Sequence, residues 1–166
     1  MKQSIRIIVT ALAAMGLSTG LATAHCQIPC GIYGDDLRFK LMNEHIDTME
    51  KSIKQIEELG NAGDKNYNQL VRWVQNKEAH AAKFTEIVNY YFMAQRIKPV
   101  PEGEEGHAKY LYQVSLLHKM VFNAMKVKQT TDLSFAKTLR KTLYEFEASY
   151  MGESKLKAEA EKGHHH

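Results

Sequence analysis

The chain has 166 residues, 44% apolar and 25% charged, with a formal net charge of +3 at pH 7. That is a single-domain length with enough apolar content for a core. The near-balanced charge, with no basic block alternating with aromatics, argues against a nucleic-acid partner.

Residues 1–24 read as a secretory signal peptide. Lys2 and Arg6 open it, an apolar run follows from Ile7 to about Leu17, and Ala22 and Ala24 supply a small-residue cleavage site. The run breaks at Ser18-Thr19-Gly20, short of the roughly 20 residues a spanning helix needs. No stable membrane anchor is expected after cleavage. Cutting by signal peptidase after Ala24 exports the chain to the periplasm or the exterior and makes His25 the first residue. It removes two basic residues and no acid, so the net charge falls from +3 to +1.

The stretch 25–35 is expected to be a hook, because Pro29, Gly31 and Gly34 oppose helix formation. A first helix is expected from about Asp36 to Leu59, with Met42, Ile46, Met49, Ile53 and Ile56 three or four apart. Gly60-Asn61-Ala62-Gly63 ends it, and Asp64 is placed to cap the second helix. That helix runs to about Ile97, its apolar face being Tyr67, Leu70, Val71, Val74, Ala81, Phe84, Val88 and Tyr91. Pro99 and Pro101 open a loop through Gly106. The third helix covers about His107 to Val127, with Leu111, Val114, Leu117, Val121 and Met125 on one side. Thr131 or Asp132 caps the fourth, which carries Phe135, Leu139, Leu143, Phe146 and Tyr150. No strand-like alternation competes. The expected fold is all-α: an antiparallel four-helix bundle over about 36–160 with an N-terminal metal-binding hook. The functional domain is then 25–163, and His164, His165 and His166 look like the stub of an expression tag.

The unusual chemistry is in the hook. Both cysteines of the chain, Cys26 and Cys30, stand beside His25. Once His25 is terminal, its amine, the Cys26 amide and the two thiolates make a set of two nitrogens and two sulfurs. Such donors can form a square plane that suits nickel or copper better than zinc. The His25 imidazole remains as a fifth, axial donor. Thiolate and amidate donate strongly, which opens a higher oxidation state and makes the site redox-active rather than structural. Other readings of the same residues stand beside this one: a local Cys26–Cys30 disulfide in an oxidising compartment, or a zinc site completed by distant histidines.

"HCQIPCGIYG" resembles the nickel hook of nickel-containing superoxide dismutases, whose pattern is His-Cys-x-x-Pro-Cys-Gly-x-Tyr at the mature N-terminus. All six specified residues are present: His25, Cys26, Pro29, Cys30, Gly31 and Tyr33. The resemblance implies disproportionation of superoxide to oxygen and hydrogen peroxide, one nickel ion per subunit cycling between +2 and +3, and a homohexamer of four-helix bundles. It implies that His25, Cys26 and Cys30 ligate the metal and that Tyr33 gates or orients the anion. It also puts Tyr91, in Tyr91-Phe92, at the family's second tyrosine, and makes Glu44 the glutamate that holds the axial imidazole. The family's basic partner in the second helix falls nearest Asn76 or Lys77. The alternative function is a non-enzymatic nickel- or copper-binding bundle, a carrier or sensor, which would not need Tyr33 beside its sulfurs.

Elsewhere, His45, His80, His107 and His118 read as surface or packed histidines, since none forms a ligand pair at helical spacing. Lys40, Lys51 and Lys54 read as a solvated face, with anion steering as their other use.

Overall fold

Phe39, Met42, Ile46, Met49 and Ile53 recur every three or four residues and are all essentially solvent-free. That spacing lays them along one face of α1, Asp35–Asn61. Burying each contributes about 1.5–3 kcal/mol. Asp35 and Asp36 stand in the first turn, where their charge complements the helix dipole. The computed structural model describes residues 34–63 and 66–152. The leader, the hook ligands, Asp64 and the segment 153–166 lie outside the described residues.

The second helix, α2, spans Tyr67–Glu86 and continues without a break into π-helical turns over Ile87–Arg96. Its cap is Asn66, whose side chain accepts from the Gln69 N–H at 3.1 Å. Two glycines with positive φ, Gly103 and Gly106, lie in the loop that follows. Then come α3, His107–Gln129, and α4, Leu133–Met151. Asp132 caps α4 by accepting from the Ser134 N–H at 2.8 Å. Neighbours in sequence pack against one another and α4 closes on α1. Among the described residues there are four helices and no strands, as a four-helix bundle requires.

One end of the bundle is an aromatic cluster. Phe39, Phe92, Phe146 and Tyr150 meet with centroid separations of 5.0 to 6.0 Å, mostly tilted or edge-to-face. Replacing Phe92 by alanine would cost about 3–5 kcal/mol at such a site.

The other end is uneven. Lys77 on α2 is buried, and its Nζ donates to the carbonyls of Lys128 at 2.9 Å and Thr130 at 2.8 Å. Lys77 therefore stands level with the end of α3. The turns of α2 before Lys77, and of α1 after Ile53, run on past α3 and α4 by roughly 15 Å. This overhang explains a difference from the sequence expectation. Tyr67, Val71 and Val74 were expected on the buried face of α2, yet they are 67%, 53% and 38% exposed, because no third or fourth helix reaches them.

The buried face of α3 also differs. Leu117 is buried as expected, but Leu111 and Met125 are exposed. The buried stripe is Gln113, Leu116, Leu117, Met120, Asn123, Ala124 and Val127. Apolar residues nearly encircle this helix, so periodicity offers two faces. The polar partners decide between them: Gln113 Nε2 reaches the Ser149 carbonyl of α4 at 3.2 Å.

Candidate metal-hook anchor

The chain enters α1 through Gly34, one residue beyond Tyr33. At that entry, Asp35 is held from three directions. Tyr91 Oη donates to Oδ1 at 2.5 Å, Arg96 Nε donates to the same oxygen at 3.1 Å, and Tyr150 Oη donates to Oδ2 at 3.0 Å. Arg96 Nη2 also donates to Tyr91 Oη at 2.8 Å. The first residue of α1 is thereby tied to the π segment and to the last turn of α4.

The π winding makes this arrangement. Tyr91 and Arg96 are five apart, about 140° from each other round an α-helix. With i to i−5 closure, seen in the Ile97 N–H to Phe92 carbonyl bond of 2.9 Å, they share a face. The Tyr91 ring also lies against two guanidiniums, Arg96 at 4.8 Å and Arg38 at 5.3 Å from its centroid. Burial, then the bond to Asp35, pushes the Tyr91 phenol above its ordinary pKa, against the opposing pull of Arg96. Tyr150 moves the same way for the same first two reasons. Both phenols therefore stay protonated near neutral pH and act as donors to the carboxylate.

A cleft of about 290 Å³ adjoins the anchor, lined in part by Arg96, Lys98, Lys109, Tyr110 and Tyr150. Its three cations give the hook end of the bundle a positive wall.

Of the residues singled out in the sequence, Tyr91 falls inside this cluster. Glu44 does not. It is exposed, nine residues further along α1, about 13 Å along the axis and half a turn round from Asp35. Asn76 donates to Ser52 Oγ at 3.0 Å, and Lys77 is committed to the end of α3, so neither joins Asp35. Lys40, Lys51 and Lys54 are exposed. His25, Cys26, Cys30 and Tyr33 lie outside the described residues. Arg96 and Tyr150 were not legible as partners of Asp35. Arg96 is invisible to α-helical spacing, and Tyr150 reads as one more core aromatic.

The family model described as nickel-containing superoxide dismutase matches residues 21–155. The chain belongs to that family. It is a nickel-dependent superoxide dismutase, an oxidoreductase. The match takes in the whole hook and the four helices, and of the two functions the sequence left open it selects the enzyme over the carrier. Comparison with curated proteins and with solved structures gave no match. The donors in the matched stretch fit the metal: His25 offers nitrogen, and Cys26 and Cys30 offer the soft sulfur that favours nickel over the hard cations. Among the described residues, no cluster of three or more His, Cys, Asp or Glu side chains offers a competing centre.

Proposed function

We propose that His25, Cys26 and Cys30 hold the nickel of this dismutase, with Tyr33 orienting superoxide beside it. When bound, nickel would supply one-electron chemistry between +2 and +3 toward superoxide. The chain's own part is to present the donors and fix where they sit. His25 contributes its amine and imidazole, Cys26 its amide and thiolate, and Cys30 its thiolate. The observation that carries the reading is Asp35. The sequence that carries the donors runs on to Asp35, a carboxylate gripped by three side chains from two other elements. Tyr91 is thus a positioning residue, holding the hook's exit rather than touching the anion. Glu44 keeps its proposed role toward the His25 imidazole, its side chain being exposed on α1.

The amine ligand exists only after cleavage at Ala24, so export and processing belong to the same proposal. Signal peptidase would release a mature enzyme starting at His25 in the periplasm or outside the cell. No helix among the described residues is long and apolar enough to cross a membrane. A homohexamer is proposed as well. Leu111, Phe122 and Met125 lie within one face of α3 and are 51%, 47% and 41% exposed, an apolar strip suited to packing against another copy.

The test is nickel stoichiometry, superoxide turnover and electron paramagnetic resonance on the processed protein. A rhombic Ni(III) signal split by one axial nitrogen, absent from verified uncleaved chain, is the expected result. The same signal and turnover from a chain still beginning at Met1 would defeat the ligand assignment.

A further inference from the structure

His45 on α1 and His80 on α2 face each other across the helix pair, Nδ1 to Nδ1 at 3.1 Å. Their rings meet edge-on, 76° apart, with centroids 5.0 Å from each other. The nickel hook does not use them, and helical spacing within either helix could not pair them. We propose that His45 and His80 form a second, inter-helix site for a borderline divalent cation, zinc being the expected occupant.

Two metal–imidazole bonds of about 2.0–2.1 Å opened to roughly 95–102° span this separation. The two nitrogens are therefore already at the spacing of neighbouring ligands on one ion. Without metal, one Nδ1–H donates to the other Nδ1. With metal, both rings carry their proton on Nε2 and turn an Nδ1 lone pair inward. Each ring stays neutral, so binding needs no net proton release. Burial, then the mutual repulsion of two positive rings, holds His45 below its ordinary pKa, and burial does the same for His80. Both imidazoles are thus available as ligands at neutral pH. Lys83 on α2 faces the pair and opposes a cation, while Glu44 on α1 favours one. No third His, Cys, Asp or Glu among the described residues joins the pair in a cluster, so water completes the coordination. The site is correspondingly weak and exchangeable, unlike a closed structural zinc centre. It ties α1 to α2.

The experiment separates this site from other metal-binding groups of the chain. In the mature protein, His164, His165 and His166 are changed to alanine and the hook is silenced with Cys26→Ser and Cys30→Ser. Zinc is then titrated by equilibrium dialysis and by thermal unfolding. One saturable zinc per chain and a rise in Tm on the order of 5–10 °C at zinc well above Kd are expected. Adding His80→Gln or His45→Ala should abolish both. His80→Gln keeps size and polarity at a half-exposed position, so its fold is checked by circular dichroism alongside. No saturable zinc in the hook-silenced protein, or an equal Tm rise with His80→Gln in place, would overturn the site and leave only a shared proton.

Discussion

Tyr150 Oη lies 3.0 Å from Asp35 Oδ2, so the last helix of the bundle holds the first residue of the first. The two are 115 positions apart in the chain. The bond places the hook's exit at the aromatic end of the bundle, beside the cationic cleft.

Asp35→Asn keeps the size of the side chain and removes its charge. Bonds to a charged group contribute about 1.5–3 kcal/mol each when sheltered, and a carboxylate 31% exposed keeps only part of that. A loss of about 1–2 kcal/mol in urea unfolding is expected, with turnover per bound nickel falling several-fold. Turnover per nickel equal to the parent's would show that the anchor serves stability alone. Tyr150→Phe removes one donor and should give about half the stability loss.

His45 and His80 make stability pH-dependent. Their pKa values are lowered in the folded state. Above the ordinary value of about 6.5 both states are neutral and the contribution is fully present. Below it the unfolded chain takes up protons first, and stability is lost as pH falls through the folded values. With chelator present, the urea midpoint should fall between pH 7 and 5. His45→Gln with His80→Gln should flatten that slope, and an unchanged slope would place the titration elsewhere.

Lys77→Met fills the same space without a donor. It leaves the Lys128 and Thr130 carbonyls without the Nζ bonds at the end of α3. A cost of about 2–3 kcal/mol is expected, with turnover per nickel unchanged. Lost turnover at full nickel loading would put Lys77 in the site's machinery after all.

His25→Ala retains the amine, the next amide and both thiolates. Nickel content should fall modestly and turnover strongly. Cys26→Ser and Cys30→Ser should each abolish turnover while circular dichroism keeps the helical signal. Glu44→Gln should lower turnover by about 10–100-fold if it orients the imidazole. Full loading and full turnover in His25→Ala would remove the axial-ligand role.

Helix existence and extent were legible because Phe-, Met- and Leu-type residues recur at helical spacing on α1 and α4. Phe39 is less conspicuous in the sequence because it precedes the run that begins at Met42. Which face of α3 is buried was not legible, since Leu111 and Leu116 are equally good core residues until Gln113 needs a partner. The overhang was hidden for a similar reason: nothing local to Val71 says how far α3 extends. The donors proposed for the metal stand out in the sequence as chemistry because His25, Cys26 and Cys30 lie within six positions of one another. The network around Asp35 does not stand out in the same way. Asp35, Arg96 and Tyr150 come together only through the π turns and the closure of α4 on α1.

The latch at Lys77 also partitions the molecule in time. Backbone amides of α1 and α2 beyond it are sheltered by one neighbouring helix instead of two or three. They should open and exchange with deuterium without the rest of the bundle coming apart. Protection should climb along α2 from Tyr67 and reach its plateau near Ala81, where the full bundle begins. The anchor around Asp35 is at the opposite pole. Breathing at the tip is thereby kept some 30 Å of helix away from Asp35, and a protease that nicks the tip should leave an enzyme that still turns over.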